Sequence, residues 1–377
     1  MKAWIGLYDD QINFNSMSNL IERPYDLKVT TDYLNFLSET LQHHELLTQN
    51  HHPSFYDTCF TTWDFQAYSL TIDELTYTAY LILRNPYESY CGNKNTANLL
   101  LAFLFFIRDN YRLGNPFHNF RHAVDVLQAT NFFLTVLEAH KSEWSIQFSA
   151  PERFALLLAA LGHDLGHPAT TNQVLIQSDT RIAKLFHNES VLENYHQSQF
   201  RKACVPLLEG CKLSLGEETI EYMDKLITRA ILATDMAKHD DYVKELDHFD
   251  NKDDSWENKV MLGSLLIKSA DISNVCRPLQ TSVKWALSLG EEFKQVNQLS
   301  RVIQGEASCL DVDGCGFDIK TITADEAVKR VKGLSGSQMF FINRFASVFF
   351  KKVGENIGPI GFLYEQLEVN RRYWEAN

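Results

Sequence analysis

From Trp63 onward, apolar residues return every three or four positions. Phe120, Val124, Leu127, Leu134 and Leu137 do so on one segment, and Phe154 to Leu161 is apolar on every side. The first pattern predicts an amphipathic helix with one face on a core, the second a helix enclosed by its neighbours. The same periodicity predicts helices near 72–84, 96–112, 219–238, 256–271, 279–295 and 337–352, and no alternating stretch bounded by turn pairs predicts a strand. The expected fold class is all-α.

Breaks fall at Gly114-Asn115-Pro116, Pro151, Pro168, Gly210 to Gly216 and Asp250 to Asp254. Gln304 to Gly336 is richer in Gly, Asp, Ser and Thr; it reads as a long loop of the kind that serves as a lid, holding one short helix over Asp325 to Lys332. Residues 1–55 read as an N-terminal appendage or connector and residues 56–377 as one domain, with no internal repeat or shift of composition to mark another.

The 377 residues are 45% hydrophobic, and 35 Lys and Arg against 48 Asp and Glu give a formal net charge of -13. That balance repels polyanions and argues against a general nucleic-acid surface; an anionic small substrate would need a local positive charge, for which a bound cation is the obvious source. The longest apolar run, Leu99 to Ile107, falls well short of the roughly 20 residues that span a bilayer, and no charged-then-apolar leader opens the chain. A soluble cytoplasmic protein is expected, with the nucleus open to it and with neither membrane nor nucleic acid as a partner. Seven scattered cysteines without a CxxC pair predict free thiols rather than a disulfide framework or a thiolate metal site.

Six residues carry the candidate chemistry: His118 and His122 in FHNFRH, His163, Asp164 and His167 in GHDLGHP, and Asp271 in KSADISN. Residues four apart share a helix face, so the spacing predicts that His118 pairs with His122 and His163 with His167. Asp164 can bridge two cations through its two oxygens. Imidazole nitrogen suits zinc, and carboxylate with water suits magnesium or manganese. His163-Asp164 and Asp271 each end an apolar helix, where a charge must be paired or coordinated to offset a desolvation cost of several kcal/mol. For Asp271 the ordinary alternative is a pair with Lys268, three residues earlier. The set suggests a binuclear metal hydrolase; His43, His44, His51, His52, His140 and His248 read as ordinary histidines.

At this point the chain resembles the class I cyclic nucleotide phosphodiesterases, whose catalytic domain is a compact all-helical bundle related to the HD metal hydrolases. The resemblance spans roughly Thr62 to Trp374. It rests on FHNFRHAVDVLQAT (117–130), ALGHDLGHPATTN (160–172), NESVLENYH (188–196), ILATDMAKH (231–239), IKSADISNVCRPL (267–279) and GSQMFFINRF (336–345), in the family's order. The TWDF, HDLGHP and FFINRFASVFF wording is most similar to the fungal high-affinity cyclic AMP enzymes.

The resemblance implies that His122, His163, Asp164 and Asp271 hold a tight metal, usually zinc, and that Asp164 bridges to a second, magnesium or manganese. His118 becomes the acid that protonates the leaving 3′ oxygen, and His167 orients phosphate and water, with Glu189 and Asp235 as supporting carboxylates. Gln338 would bind the purine and Phe341 stack on it, with Leu289 opposite and Asn274 and Met236 lining the same pocket. Hydrolysis of 3′,5′-cyclic AMP to 5′-AMP follows as the expected activity. Dual or cyclic GMP specificity, or a catalytically inactive nucleotide-binding regulator, are the alternatives. The chain departs from the family pattern at Phe117, where tyrosine is common, and at Gly166, where aspartate is common.

Overall fold

The computed structural model describes residues 51–90, 96–142, 146–306 and 318–377. Among them there are helices and turns and no strand. The principal helices are α1 (Ile72–Tyr90), α2 (Thr96–Asn110), α3 (Phe120–Ala139), α4 (Ala150–Gly162), α5 (Val191–Leu215), α6 (Glu217–Leu232), α7 (Trp256–Asp271), α8 (Leu279–Ile303), α9 (Leu334–Phe341), α10 (Ser347–Asn356) and α11 (Phe362–Ala376). No helix among the described residues is long and apolar enough to cross a membrane.

The all-round apolar helix is the hub. α4 packs on α3, α6 and α7, so every residue from Phe154 to Gly162 is buried. Pro151 starts this helix rather than breaking it: it sits in the first turn, where its missing N–H costs nothing, behind a reciprocal cap between Ser149 and Glu152. Gly162 is its last residue, and a Cβ there would lie 2.1 Å from the ring of Phe200 on α5. Close approach of α4 and α5 therefore requires glycine.

Other boundaries differ from the periodic reading. α5 runs through Gly210 and Pro206 and stops only at Gly216, whose φ of +79° favours glycine. The helix expected over 219–238 ends at Leu232, since the next residues form a turn that faces the site. α9 and α10 are one helical rod joined by a wide π turn at Ile342–Ala346. Of the long loop, 307–317 lie outside the described residues; Ile322 and Ala324 dock on α8 through both ends of the Gln280 amide (2.5 and 3.2 Å), ahead of the short helix Ala324–Arg330.

A buried ionic knot supports the end of α7. Arg277, fully buried, pairs with Asp125 of α3 at 3.1 Å, donates to the Trp63 carbonyl at 2.7 Å and stacks on the Trp63 ring at 4.0 Å. Asn370 of α11 donates to the carbonyls of Val275 and Arg277, both at 2.8 Å. The turn after Asp271 is thus tied to both ends of the described chain. Residues 1–50 of the expected appendage lie outside the described residues; His51, within it, and Tyr56, just beyond it, reach buried Glu74 of α1 at 2.8 and 2.6 Å.

Candidate metal centre and base pocket

His122, His163, Asp164 and Asp271 meet, each offering one ligand atom, with those atoms all within 4.8 Å of one another. The Nε2 atoms of His122 and His163 are 3.3 Å apart. Asp271 Oδ1 lies 3.1 Å from the first and 3.3 Å from the second; Asp164 Oδ2 lies 3.7 and 3.2 Å from them. A divalent cation bound at about 2.0–2.1 Å in tetrahedral geometry holds neighbouring donors about 3.3 Å apart, so this set fits one. His163 donates Nδ1–H to the Ala160 carbonyl (2.9 Å), which leaves its Nε2 lone pair for the cluster. Lys268 is not the partner of Asp271: its ammonium, fully buried, donates to the carbonyls of Ala233 (3.1 Å) and Asp235 (3.4 Å).

The helix-face argument does not explain the convergence. α3 begins at Phe120 with Asn119 as its cap, so His118 precedes the helix and shares no face with His122. α4 ends at Gly162, and residues 163–166 form a turn that carries His167 round to the site. Gly166 has φ +80° and a Cβ there would meet Tyr195 Oη at 3.0 Å, which accounts for glycine where the family pattern has aspartate. Phe117, the other departure, packs its ring 4.6 Å from His122 and 5.6 Å from Trp285.

His118 is held by a residue the sequence did not single out. Glu292, in the middle of α8, accepts from the backbone N–H groups of Phe117 (2.9 Å) and His118 (3.0 Å) and from His118 Nδ1–H. Burial alone would lower the His118 pKa, but the Glu292 and then the Asp164 carboxylate outweigh it and raise it to about 9. Burial works against the Glu292 carboxylate in turn, and His118 prevails, holding it at about 2. Asn115 joins the two histidine loops by donating to the carbonyls of His118 (2.7 Å) and His167 (2.8 Å).

His167 stacks on His118 with ring centroids 4.0 Å apart. Its Nδ1 accepts from the Ala169 N–H (3.0 Å), aided by the left-handed φ of 53° at Ala169, and burial with the positive His118 alongside holds it neutral. A neutral ring that accepts at Nδ1 presents an N–H at Nε2. His196, also unpredicted, has the complementary tautomer. It donates Nδ1–H to Leu165 (2.9 Å), and its Nε2 is buried without a hydrogen-bond partner among the described residues, 3.7 Å from Asp164 Oδ1. The free Nε2 lone pair of His196 thus stands beside the second oxygen of Asp164, on the side of the carboxylate away from His122.

The two supporting carboxylates separate. Asp235 is buried, accepts from Ser190 Oγ (2.6 Å) and caps the Met236–Lys238 turn. Glu189 is displaced from the cluster: its side chain is 72% exposed and pairs with Lys238 at 2.8 Å. Left-handed residues at His187, Asn188 and Ser190 turn the chain there, and Glu193, one helical turn on, points inward. Glu193 accepts from Asn172 at 2.9 Å, and burial together with the nearby Asp235 charge raises its pKa to about 7. NESVLENYH contains Glu193 and His196, so the motif held the signal; Glu292, in a charged stretch of α8, reads like any solvated helix face.

The residues expected around a base lie on packed neighbours. Asn274 is buried in the turn after Asp271, Leu289 is half-buried on α8, and Gln338 (buried) and Phe341 (half-buried) lie on α9, which packs against α8. Met236, half-buried, places its sulfur 3.9 Å from Lys268 Nζ. Phe341 contacts Phe345 with ring centroids 5.5 Å apart.

Residues 117–367 match the family model described as 3′5′-cyclic nucleotide phosphodiesterase. The chain belongs to this family. It is 33% identical to 3′,5′-cyclic-nucleotide phosphodiesterase 2 of Saccharomyces cerevisiae, over 91% of this chain and 64% of that protein. It is 29% identical to the human high affinity cAMP-specific and IBMX-insensitive 3′,5′-cyclic phosphodiesterase 8A, over 74% of this chain and 34% of that one. The chain therefore spans between about a third and two-thirds of the length of these relatives. Among solved structures, yeast caPDE2 in complex with IBMX superposes with a TM-score of 0.80 at 31% identity, covering 97% of this chain and 76% of that one. The all-α fold is that of a phosphodiesterase catalytic domain, and the four residues of the His/Asp cluster fall within the matched stretch.

Proposed function

We propose that this protein hydrolyses 3′,5′-cyclic AMP to 5′-AMP and so terminates a cyclic AMP signal, acting in the cytoplasm. The observation that carries this reading is the convergence of His122, His163, Asp164 and Asp271 beside a protonated His118. The donor set fits zinc at those four residues, with magnesium or manganese sharing Asp164; when bound, such cations supply Lewis-acid charge and bring the pKa of water near neutrality.

The chain's own residues do the rest. Glu292 keeps a proton on His118 and fixes the ring, so that its Nε2–H can protonate O3′ as the bond to phosphorus breaks. His167 offers Nε2–H to a phosphate oxygen. Asn115 holds both histidine loops at one spacing. Gln338 pairs with the purine edge, Phe341 and Leu289 enclose its faces, and Asn274 and Met236 close the pocket. An amide can present either end to a purine, so Gln338 admits both bases, and the preference for adenine rests on Asn274 and on the cyclic AMP-specific relatives.

The decisive experiment compares kcat/KM for cyclic AMP and cyclic GMP in buffers of defined zinc, magnesium and manganese, with His118→Ala as control. Faster turnover of cyclic AMP that needs both metal and His118 is expected. Binding without hydrolysis in every metal would leave a nucleotide-binding regulator instead.

A further inference from the structure

We propose that His239 is a positioning residue for the base pocket: it pins the wide turn at Ile342–Ala346, and that turn sets where Gln338 and Phe341 stand relative to the metal-ligand cluster. The inference rests on the phosphodiesterase reading and adds to it a specificity-determining residue outside the pocket.

The rod from α9 to α10 buries Leu334, Gln338, Ile342 and Ala346, each four residues after the last. In a regular α-helix a step of four overshoots a full turn by about 40°, so three steps would rotate the stripe by about 120°. The π turn, which spans the last of these steps, reduces this drift: Ser347 N–H donates to the carbonyl of Ile342, five residues back. Gln338 can therefore share a face with Ile342 and Ala346, which are buried in the core. Such turns are rare, short and frequent at functional sites.

His239 holds the turn from another segment. Its Nε2–H donates to the Phe345 carbonyl, inside the turn, at 3.0 Å. Its ring stands edge-on to Phe345 (5.6 Å, 88°) and lies 5.3 Å from Phe349, while Phe345 in turn contacts Phe341. His239 is buried, and its Nδ1 has no hydrogen-bond partner among the described residues. An apolar side chain of similar size would avoid stranding that nitrogen, so what the histidine contributes here is the Nε2 bond. Beside it, Arg344 makes two bonds to Asp240 (3.0 and 2.9 Å) on the surface.

The same segment is anchored at its other end to the metal helix. Lys268 of α7 donates to the carbonyls of Ala233 and Asp235, three residues before Asp271. Residues 233–240 thus bridge the helix that ends in a metal ligand and the turn that orients the base-pocket helix. Burial and the neighbouring Lys268 charge hold the His239 pKa at about 4, which keeps the ring neutral with one N–H to give.

The test uses the full chain with His239→Leu, which removes the donor, His239→Gln, which keeps one on a longer arm, and Asp241→Asn, whose exposed partner Lys244 lies on the same helix, as a surface control. Steady-state kcat and KM for cyclic AMP and cyclic GMP are read together with metal content. In His239→Leu, KM for cyclic AMP should rise about tenfold with kcat changed by less than about threefold, the split expected when substrate placement rather than chemistry is lost. The ratio of kcat/KM between the two nucleotides should move toward one, and His239→Gln should recover much of both. Equal losses in kcat and kcat/KM, or an unchanged KM in a folded Leu variant, would overturn the proposal. If His239→Leu does not fold, His239→Asn, whose shorter arm falls short of the carbonyl, takes its place under the same criteria. A wild-type chain that turns over neither nucleotide defeats the hydrolase reading alone. The dissociation constant for cyclic AMP then tests the pin: weaker in the Leu variant supports it, equal overturns it.

Discussion

The two halves of the site are built in different ways. On the metal side, nearly every group is fixed by backbone: Asn119 caps the helix that carries His122, Ala160 orients His163, Asn115 ties the loops of His118 and His167, and Glu292 grips two main-chain N–H groups as well as the imidazole. On the proposed base side, Phe341, Leu289 and Met236 are half-buried apolar groups, and the helix that carries Gln338, packed on α8 and α11, joins α10 through one wide turn held from a neighbouring segment. The first arrangement is fixed by directional bonds to the main chain, the second by apolar packing and a single bond to the turn. Charged ligands demand this difference, because a misplaced buried charge costs several kcal/mol whereas a shifted apolar wall costs little.

The contrast can be broken at graded strength. Asp164→Ala removes the donor shared by both candidate cation positions; kcat/KM should fall by about 10³-fold or more, the loss of several kcal/mol of charge stabilisation, with bound metal falling in parallel by elemental analysis. Next, His118→Ala should lower kcat by about 10²–10⁴-fold while metal content is unchanged. The acid acts when protonated, so wild-type activity is present below the His118 pKa and lost as pH rises through it; that alkaline limb lies at about 9, or lower once cations offset Asp164, and should vanish in the variant.

Glu292→Gln sharpens the same point. It keeps a hydrogen-bond acceptor but removes the charge that raises His118, so the alkaline limb should move down by about one unit or more with metal retained. A limb that stays in place would show that Glu292 only positions the loop. On the base side, Gln338→Ala should raise KM roughly tenfold with kcat little altered, the signature of lost ground-state contact. The smallest effect is expected at Gly166→Ala, where φ is +80°: about 1 kcal/mol of stability, read as a fall of a few degrees in Tm, with the kinetic constants nearly unchanged.

How the site was legible in the chain differs residue by residue. His118 and His122 were read together because they are four apart, yet a cap residue lies between them and the structure brings them together from a loop and a helix. His163 and Asp164 were legible for a sounder reason, since a charge at the end of an all-apolar helix has to find a partner. The resemblance implies Glu189 and the structure turns Glu193 inward, because a motif carries no sign of the left-handed residues that turn the backbone near Glu189. α5 escaped the periodic reading because Pro206 and Gly210 punctuate it, and tertiary packing overrides such local preferences.

By itself the sequence determined the helical class, through apolar spacing that only a 3.6-residue period accommodates, and the caps at Asn119, Ser149 and Ser255 that start three of the site-bearing or site-supporting helices. It also determined that His163, Asp164 and Asp271 could not stay unpaired. Tertiary structure alone decided with what they pair. His118 meets Glu292 across 174 residues, and His122 meets Asp271 across 149, contacts that no local pattern encodes. It alone decided, too, that Lys268 turns away from Asp271 to the Ala233 and Asp235 carbonyls. Burial states that a charge must be satisfied; only the packing of α4, α7 and α8 around it says by whom.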